Sequence, residues 1–281
     1  MSSRTHPLYD PPLGATVRDG GVEVRVFAPE KARAVLVMDG HEAEMTRDGA
    51  GYWSAFASGA GVGSRYGIRI SDGPDDQLGP PFPDPCSRSQ PDGVHGLSEV
   101  VDPDAFSWTD DAWTHVPLED YVLYELHVGT FTPEGTFAAA MERLPYLRDL
   151  GVTAVELMPV HAFPGRFNWG YDPGTLWAVP PPYGTSDDLQ RLVDRAHALG
   201  LAVVVDVVLN HLGPDGAYVA AFAPMLTPAA TPWGDAMNLS SPHSAGVRRF
   251  LIESALLWLR EFHADGLRLD ATSRLLDPEE P

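Results

Sequence analysis

The chain has 281 residues, of which 44% are hydrophobic, enough for one large or two medium globular domains. Its 39 acidic and 19 basic residues give a formal net charge of −20 at pH 7. That charge argues against nucleic acid or an anionic membrane as partner, because both bind clustered Lys and Arg. The single cysteine, Cys86, cannot form an internal disulfide, and the first residues lack the apolar segment of a secretion signal. A cytoplasmic protein without a membrane span is expected.

Residues 1–105 are typical of a small antiparallel β-sandwich. The stretch "VEVRVFAP" alternates, which places Val22, Val24 and Val26 on one face. The stretches "AVLVM", "GYWSAFA" and "RYGIRI" follow at regular spacing, separated by glycine-rich turns. The stretch "SDGPDDQLGPPFPDPCSRSQPDG" then predicts an extended connection laid over a surface. Residues 106–120 are assigned to a linker.

From residue 121 to residue 281 strands and helices alternate. The predicted strands are "YVLYELHV", "VTAVELMPV", "LAVVVDVVLNH" and "DGLRLDA". Between them, the spacing predicts a helix that Pro145 divides, a helix capped at Ser186 and ended by Gly200, and a third helix over "AGVRRFLIESALLWLREFHA". Apolar strands alternating with helices imply a parallel sheet, either open and doubly wound or closed into an eight-stranded barrel. No Gly-x-Gly-x-x-Gly loop follows the first strand, which disfavours nucleotide binding.

Candidate functional residues follow the C-terminal ends of the predicted strands. Asn210 and His211 end the third strand, Asp270 ends the fourth, and the loop "FNWGYDPG" follows the second. Uncharged aromatic side chains beside polar ones suit a sugar ring. Asp206, inside "VVVDVVL", would be costly to bury without a partner, and Arg268 on the neighbouring strand is the natural one.

Arg268 and Asp270 are two residues apart on one strand and therefore point the same way. The arginine would favour the ionised form of Asp270, as a glycosidase nucleophile requires. The same pair could be a structural ion pair, His211 could simply end a strand, and Tyr171 and Trp169 could pack the loop. Structural roles are assigned to four further histidines, His127, His161, His197 and His263. There is no zinc-type Cys/His spacing and no Gly-x-Ser-x-Gly elbow.

Several segments together resemble one enzyme family. "DVVLNH" and "GLRLDA" resemble the first and second signature regions of the α-amylase superfamily of retaining glycoside hydrolases, and "VELMPV" resembles its second barrel strand. Within that superfamily, "YELHVGTFTPEGTF", "FPGRFNWGYD", "NHLGPDGAY", "TPWGDAMN" and "PDGVHGLSEVVDP" resemble the maltooligosyltrehalose trehalohydrolase family over nearly the whole chain. Branching enzymes, which share "ELMPV" and "WGY", are the alternative, and a non-catalytic glucan-binding module is a further one.

The resemblance implies an α/β fold, with an N-terminal immunoglobulin-like β-sandwich followed by about four βα units, the first half of a (β/α)8 TIM barrel. It implies cleavage of the α-1,4 bond next to a terminal trehalose in maltooligosyltrehalose or a related α-1,4-glucan. No cofactor and no metal site are expected. Asp270 would be the nucleophile that forms a glycosyl-enzyme intermediate, and Arg268 would orient it.

The remaining predicted site residues bind substrate in this resemblance. Tyr171 would lie under the sugar ring whose bond is cut, supported by Trp169 and Asp172. Asp206 would hold Arg268. Asn210 and His211 would line the site, with His211 donating to the primary hydroxyl of the sugar.

One part of the machinery is missing from the predicted barrel, which has room for only four strands. A retaining hydrolase needs a second carboxyl group as acid, and in this superfamily a Glu on the fifth strand supplies it. Glu279 and Glu280 lie in a polar tail and are poor candidates. We therefore expect the 281-residue chain alone to be inactive. The edges of a half barrel and its apolar interior should also favour self-association.

Overall fold

The structure is a computed structural model that describes residues 11–275, except for the side chains of residues 228–230. Glu279 and Glu280 lie outside the described residues. Eight strands form the N-terminal sandwich: β1 (Gly14–Arg18), β2 (Gly21–Phe27), β3 (Arg33–Met38), β4 (His41–Glu44), β5 (Thr46–Arg47), β6 (Tyr52–Ser58), β7 (Arg65–Ser71) and β8 (Ser98–Glu99). They form two four-stranded antiparallel sheets, β1-β2-β6-β5 and β4-β3-β7-β8.

Alternating side chains fill the space between these two sheets. Val22, Val24 and Val26 on β2 are at most 1% exposed and pack with Leu36 and Ile68 of the second sheet. The predicted sandwich and the predicted alternation in "VEVRVFAP" are confirmed. Because a strand with one buried face pairs in one register only, this alternation also fixes how β2 pairs with β6.

A parallel four-stranded sheet forms the second half of the chain. Its strands β9 (Leu123–Leu126), β10 (Ala154–Leu157), β11 (Ala202–Val207) and β14 (Gly266–Leu269) are hydrogen-bonded in chain order. The helices are α1 (Val128–Phe131), α2 (Phe137–Met141), α3 (Leu144–Leu150), α4 (Ser186–Ala198), α5 (Val219–Phe222) and α6 (Ser244–Arg260), and a hairpin of β12 (Leu226–Thr231) and β13 (Gly234–Met237) precedes α6. The predicted fold class, a sandwich followed by four βα units of a barrel, is confirmed.

Two helix boundaries test the sequence predictions directly. Pro145 lies at the start of α3 and separates it from α2, as predicted, because proline is tolerated only in the first turn of a helix. The predicted cap of α4 at Ser186 is wrong by one residue. The Thr185 side chain accepts the Asp188 N–H, and the Asp188 carboxylate accepts the Thr185 N–H, so Thr185 is the N-cap of a capping box.

This assignment predicts a difference between two neighbouring substitutions. Thr185→Ala removes the cap and should lower the free energy of unfolding by about 1 kcal/mol. Ser186→Ala, the control, should change it by less than about 0.5 kcal/mol. Urea unfolding of both variants and the unchanged chain measures the difference. If Ser186→Ala lowered the free energy of unfolding more than Thr185→Ala does, Ser186 would be the N-cap residue.

The two faces of the parallel sheet differ in polarity. Val155, Val203 and Val205 face the helices and are at most 1% exposed. On the opposite, inner face, strand register places Glu125 beside Glu156 and Asp206 beside Arg268; the full set of charged inner-face residues is Glu125, Glu156, Asp206 and Arg268. The expectation of an apolar interior is therefore wrong. Asp206 and Arg268 pair with each other, because a carboxylate buried alone is costly, whereas Glu125 and Glu156 carry like charges and repel each other.

The predicted linker, residues 106–120, is docked against the N-terminal end of the sheet. Asp110 contacts His197 (Oδ2–Nδ1 2.9 Å) and His263 (Oδ2–Nδ1 2.8 Å). His197 also contacts Asp265 (Nε2–Oδ2 3.0 Å), which in addition accepts the indole N–H of Trp113 at 2.7 Å. His197 and Asp265 have side chains that are 1% exposed. The structure thus gives His197 and His263 structural roles, within a network of buried charges.

The sandwich is joined to the barrel sheet by direct packing. Arg88, in the connection, makes a bidentate ion pair with Glu261 at the end of α6 (Nη2–Oε1 2.7 Å, Nε–Oε2 2.9 Å). The ring of Phe27 lies against Gly246, where an added Cβ would come within 2.1 Å of the ring. Glycine is therefore required at this crossing of β2 and α6.

Candidate active site

Two carboxylates share one guanidinium at the C-terminal ends of β11 and β14. The Nη1 of Arg268 donates to both carboxylate oxygens of Asp206 at 3.1 and 3.0 Å and to the Oδ1 of Asp270 at 2.7 Å. The pairing follows from register, since Asp206 and Arg268 are directly opposite in the parallel ladder. Asp270 follows the end of β14, where its N–H donates to the carbonyl of Val207. The predicted contacts of Arg268 with both carboxylates are present.

Asp206 is a buried member of this group. It has no exposed surface, and it accepts a second hydrogen bond from the Oη of Tyr171 at 2.8 Å. Burial raises the pKa of Asp206 above its usual value, against the hydrogen bonds of Tyr171 and Arg268, which lower it. Burial alone would lower the pKa of Arg268. The hydrogen bonds to Asp206 and its negative charge have the larger effect, so the pKa of Arg268 lies above its ordinary value. Asp206 therefore fixes the arginine and does not reach a ligand itself.

Asn210 and His211 connect the third strand to this group. The amide of Asn210 donates to the backbone carbonyl of Asp270 at 2.9 Å and to its Oδ2 at 3.0 Å. The Asn210 Oδ1 lies 2.6 Å from the Nδ1 of His211, and the Nε2 of His211 lies 2.8 Å from the carbonyl of Tyr171. Both ring nitrogens of His211 thus face protein acceptors. Donation to a sugar hydroxyl would require one of these contacts to open.

The loop after β10 positions Tyr171. Gly170 has φ +92°, and an added Cβ would lie 2.2 Å from the carbonyl oxygen of Pro159, so only glycine fits. Its N–H donates to the side chain of Asn168 at 2.7 Å. The backbone carbonyl of Asn168 lies 2.8 Å from the Nε2 of His127. This contact ties the loop to the end of β9. Burial, followed by the hydrogen bond to Asp206, raises the pKa of the Tyr171 hydroxyl.

Six of the eight predicted site residues are brought together, namely Tyr171, Asp206, Asn210, His211, Arg268 and Asp270. Asp172 instead accepts the amide of Asn168 at 3.1 Å, and Trp169 is 72% exposed. Both lie on the same loop, but neither bonds to the six in the part of the chain that the structure describes.

Trp233 belongs to the site although it was not among the predicted residues. It lies in the turn between β12 and β13, and its ring stacks on His211 with centroids 5.5 Å apart and an angle of 23°. The indole remains 52% exposed. The only sequence signal was its place in "TPWGDAMN"; the hairpin that carries it there was not predicted. Its exposed indole is an aromatic surface of the kind that stacks on a pyranose.

The peptide after Asp270 is held in an unusual backbone conformation. Ala271 has φ +41° and ψ +50°, the left-handed region that a residue with a Cβ adopts at a cost of about 1 kcal/mol or more. Such residues concentrate at functional sites because the surrounding structure holds them there.

The remaining inner-face carboxylates lie too deep to act with Asp270. The strand register places Glu156 level with Gly266 across the sheet. Asp270 is four residues further along β14 than Gly266, which corresponds to about 13 Å along the strand direction. Burial raises the pKa of Glu156, and the charges of Glu125 and Asp206 add to the effect. These groups form a second, lower layer of the inner face.

Comparison with known families agrees with this geometry. A family model described as the catalytic domain of alpha amylase matches residues 82–226, just over half of the chain. The chain belongs to the α-amylase family. Residues 12–82 match carbohydrate-binding module 48, the isoamylase N-terminal domain. The family resemblance found in the sequence is confirmed, and with it membership of the glycoside hydrolases.

Similar proteins refine the comparison. Seven relatives named malto-oligosyltrehalose trehalohydrolase are 40–50% identical to the chain. That of Arthrobacter ramosus is 50% identical over 90% of the chain and 44% of its own length. A 1,4-alpha-glucan branching enzyme of Aliivibrio fischeri is 33% identical over 92% of the chain and 40% of its length. The chain thus spans less than half the length of the relatives it matches.

A solved structure supports the fold. A pullulanase from Paenibacillus barengoltzii, in complex with maltohexaose and α-cyclodextrin, superposes with a TM-score of 0.79 at 26% identity. The match covers 95% of the chain and 50% of the pullulanase. No helix among residues 11–275 is long and apolar enough to cross a membrane.

Proposed function

We propose that the chain is the nucleophile-bearing half of a retaining glycoside hydrolase that releases trehalose from maltooligosyltrehalose in the cytoplasm. The Asp206–Arg268–Asp270 arrangement carries the proposal, because it presents one carboxylate to a ligand while a buried second carboxylate fixes the arginine. The higher identity to trehalohydrolases than to the branching enzyme favours the trehalohydrolase substrate.

Each residue of the group has a role in this mechanism. Asp270 attacks C1 of the glucosyl unit, and Arg268 keeps its carboxylate oriented. Tyr171 and Trp233 provide the aromatic surface for the ring, with Trp169 and Asp172 at the loop rim. Asn210 fixes the second oxygen of Asp270 through its amide. His211 reaches the primary hydroxyl once its contact with the Tyr171 carbonyl opens.

We propose that no carboxyl group among residues 11–275 serves as the acid that protonates the leaving oxygen. A retaining pair is about 5–5.5 Å apart, which excludes Glu156 in its lower layer, and Asp206 is fully buried. With the nucleophile but no acid, the 281-residue chain should release no trehalose from maltooligosyltrehalose above the background in buffer. Chromatography of the products measures this, and appreciable trehalose release would overturn the prediction.

A complementation experiment tests the substrate. We would mix or co-express the chain with the part of the Arthrobacter ramosus trehalohydrolase that follows the matched region. Restored trehalose release from maltooligosyltrehalose supports the proposal. Transfer of glucan to new branch points, with no trehalose, would support a branching enzyme instead.

The unpaired edges of the sheet predict self-association of the chain. Within the described residues β9 and β14 each pair on one side only, and Leu123 and Leu269 on these strands are 48% and 46% exposed. Sedimentation should show oligomers that Leu123→Lys weakens. Val62→Lys, which changes an apolar residue of the sandwich that is 65% exposed, is the control. A monodisperse monomer with a cooperative melt would contradict the prediction.

A further inference from the structure

The loop that carries Tyr171 is held by two side chains that lie outside the candidate active site. The Nε2 of His127, at the end of β9, lies 2.8 Å from the backbone carbonyl oxygen of Asn168. The hydroxyl of Tyr183 lies 2.8 Å from the same Nε2 and 3.1 Å from the same carbonyl oxygen. Side chains from two distant segments therefore converge on one carbonyl group, three residues before Tyr171.

The chemistry of these groups determines which of them donate. A carbonyl oxygen only accepts, so the Nε2 of His127 that faces it carries the proton. This Nε2 then cannot accept from Tyr183, whose hydroxyl donates to the Asn168 carbonyl instead. On the other side of the imidazole, Nδ1 faces the hydroxyl of Thr130 at 2.9 Å. The protons are assigned from this hydrogen-bond network, and they give the Asn168 carbonyl two donors, one for each lone pair.

Packing leaves the two donors little freedom to move. Tyr183 is 3% exposed, and its ring meets those of Phe137 and Phe163 nearly edge-on, with centroids 5.9 and 5.5 Å apart. A Cβ added to Gly129 would lie 3.0 Å from the rings of both His127 and Tyr183, so the backbone of α1 closes over them. Burial raises the pKa of the Tyr183 hydroxyl to about 12, so at neutral pH it keeps the proton that it donates.

Asn168 connects the held carbonyl to Tyr171. The side-chain oxygen of Asn168 accepts the N–H of Gly170 at 2.7 Å, so this residue is bonded through its backbone and its side chain. Tyr171 follows directly, and its hydroxyl donates to Asp206. The carbonyl of Tyr171 lies 2.8 Å from the Nε2 of His211. The loop is thus held from the β9 side before Tyr171 and from the β11 side at Tyr171.

We propose that His127 is a positioning residue for the ring of Tyr171. Together with Tyr183 it holds the Asn168 carbonyl, and the loop then keeps the ring in place relative to Asp270. The inference rests on the proposed function, in which this ring lies under the sugar that Asp270 attacks. A misplacement of about 1 Å can cost about 100-fold in rate even when the changed residue is far from the reacting atoms. His127 therefore affects the reaction although it acts only through a backbone carbonyl.

The position of the Tyr171 ring can be followed by nuclear magnetic resonance on the 281-residue chain without any sugar. Tyrosine labelled with ¹³C at Cζ gives a separate signal for each ring, and the Tyr171 signal is assigned by its loss in Tyr171→Phe. We expect His127→Leu to shift this signal and His127→Gln to leave it in place. Tyr66 is the matched comparison, because its hydroxyl also donates to a carboxylate at 2.8 Å but belongs to the sandwich. Its signal should not shift in either variant.

Covalent labelling measures the consequence for the reaction. The probe is a glucosyl fluoride, from which the Asp270 carboxylate displaces fluoride, and intact-protein mass spectrometry gives the rate. His127→Leu and Tyr183→Phe should each slow labelling about three- to tenfold, the effect of one lost hydrogen bond, because the carbonyl keeps its other donor. The double variant leaves the carbonyl with neither donor. It should therefore slow labelling by more than the product of the two single effects.

A conservative variant separates positioning from general support of the fold. The amide nitrogen of His127→Gln can donate from nearly the place of Nε2, so this variant should label within about threefold of the unchanged chain. His41→Leu makes the same change as His127→Leu on the exposed strand β4 and should label normally. Melting temperatures check that each variant folds. If His127→Leu does not fold, Tyr183→Phe keeps the packed ring and tests the same carbonyl.

Three results would overturn the proposal. The first is a Tyr171 signal that stays in place in His127→Leu. The second is labelling of His127→Gln that is as slow as that of His127→Leu, which would mean that the ring only packs. The third is a double variant that shows no more than the product of the single effects. If the unchanged chain is not labelled at all, the proposed function fails, and the Tyr171 signal in the two His127 variants decides the positioning role by itself.

Discussion

Replacing Asp270 with asparagine should abolish covalent labelling of the chain by an activated glucosyl or maltosyl fluoride. Fluoride leaves without protonation, so no acid is needed for this step. The C1–F bond breaks, fluoride departs with its electron pair, and a bond forms between C1 and a carboxylate oxygen of Asp270. If the chain has no acid/base group, as we propose, the attack of water on the intermediate is slow, and the intermediate should accumulate.

Intact-protein mass spectrometry measures the labelling, since the adduct adds the mass of the transferred sugar. Peptide mapping should place it on Asp270. We expect the asparagine variant to label on the order of 1,000-fold more slowly or not at all, because the amide is not a nucleophile. The substitution preserves shape, so melting temperatures of the two chains should agree. Asp104→Asn, an exposed site in the connection, has the same charge change and should label normally.

Two results would count against the assignment. Labelling of another carboxylate in the unchanged chain would move the nucleophile elsewhere. Equal labelling of the Asp270→Asn variant would show that the Arg268–Asp270 contact is a structural ion pair, the alternative that the sequence left open.

The parts of the fold with local, repeated patterns could be predicted from the sequence. Alternation gave the buried face of β2, and the helical spacing around Pro145 gave the break between α2 and α3. The Asp206–Arg268 contact was also predictable, because a buried carboxylate within an apolar strand must find a partner on a neighbouring strand. Those predictions rest on one strand, one helix or two neighbouring strands.

The features that were missed depend on contacts between distant segments. The linker residue Asp110 meets His197 across 87 residues of sequence, and no local pattern marks either side chain. Trp233 reaches His211 only because an unpredicted hairpin carries it there. The hydroxyl of Tyr171 donates a hydrogen bond to Asp206, whereas the sequence predicted only that the ring of Tyr171 lies under a sugar. Loop conformation decides all three contacts, and it depends on the packed fold.

The largest effect on stability should come from His197→Gln. The imidazole lies between the carboxylates of Asp110 and Asp265 and stacks on Trp113 with centroids 4.6 Å apart. Burial alone would lower the pKa of His197. Hydrogen bonds to Asp265 and Asp110 and the charges of these carboxylates have the larger effect and raise that pKa above its usual value. Removing this cation leaves two buried carboxylates without it. Near pH 6 the loss should be about 3–5 kcal/mol in the free energy of unfolding.

The pH dependence of this loss follows from the two shifts. Because the pKa of His197 is raised on folding, its contribution is complete below about pH 6.5, its unfolded value, and is lost as pH rises through the folded value. Burial raises the pKa of Asp265, but hydrogen bonds from His197, Trp113 and Val203 lower it to about 2. Its contribution is present above about pH 4 and is lost as pH falls through about 2.

The cluster therefore stabilises the fold most between about pH 4 and 6.5, and the difference between the unchanged chain and His197→Gln should shrink at pH 9. Urea unfolding at pH 6 and pH 9 measures it. His41→Gln, on the exposed strand β4, should stay within about 0.5 kcal/mol at both values. A loss for His197→Gln that is equal at the two pH values would mean that the positive charge of the ring contributes nothing. In that case His197 would act through its stacking on Trp113 and through hydrogen bonds that do not depend on its charge.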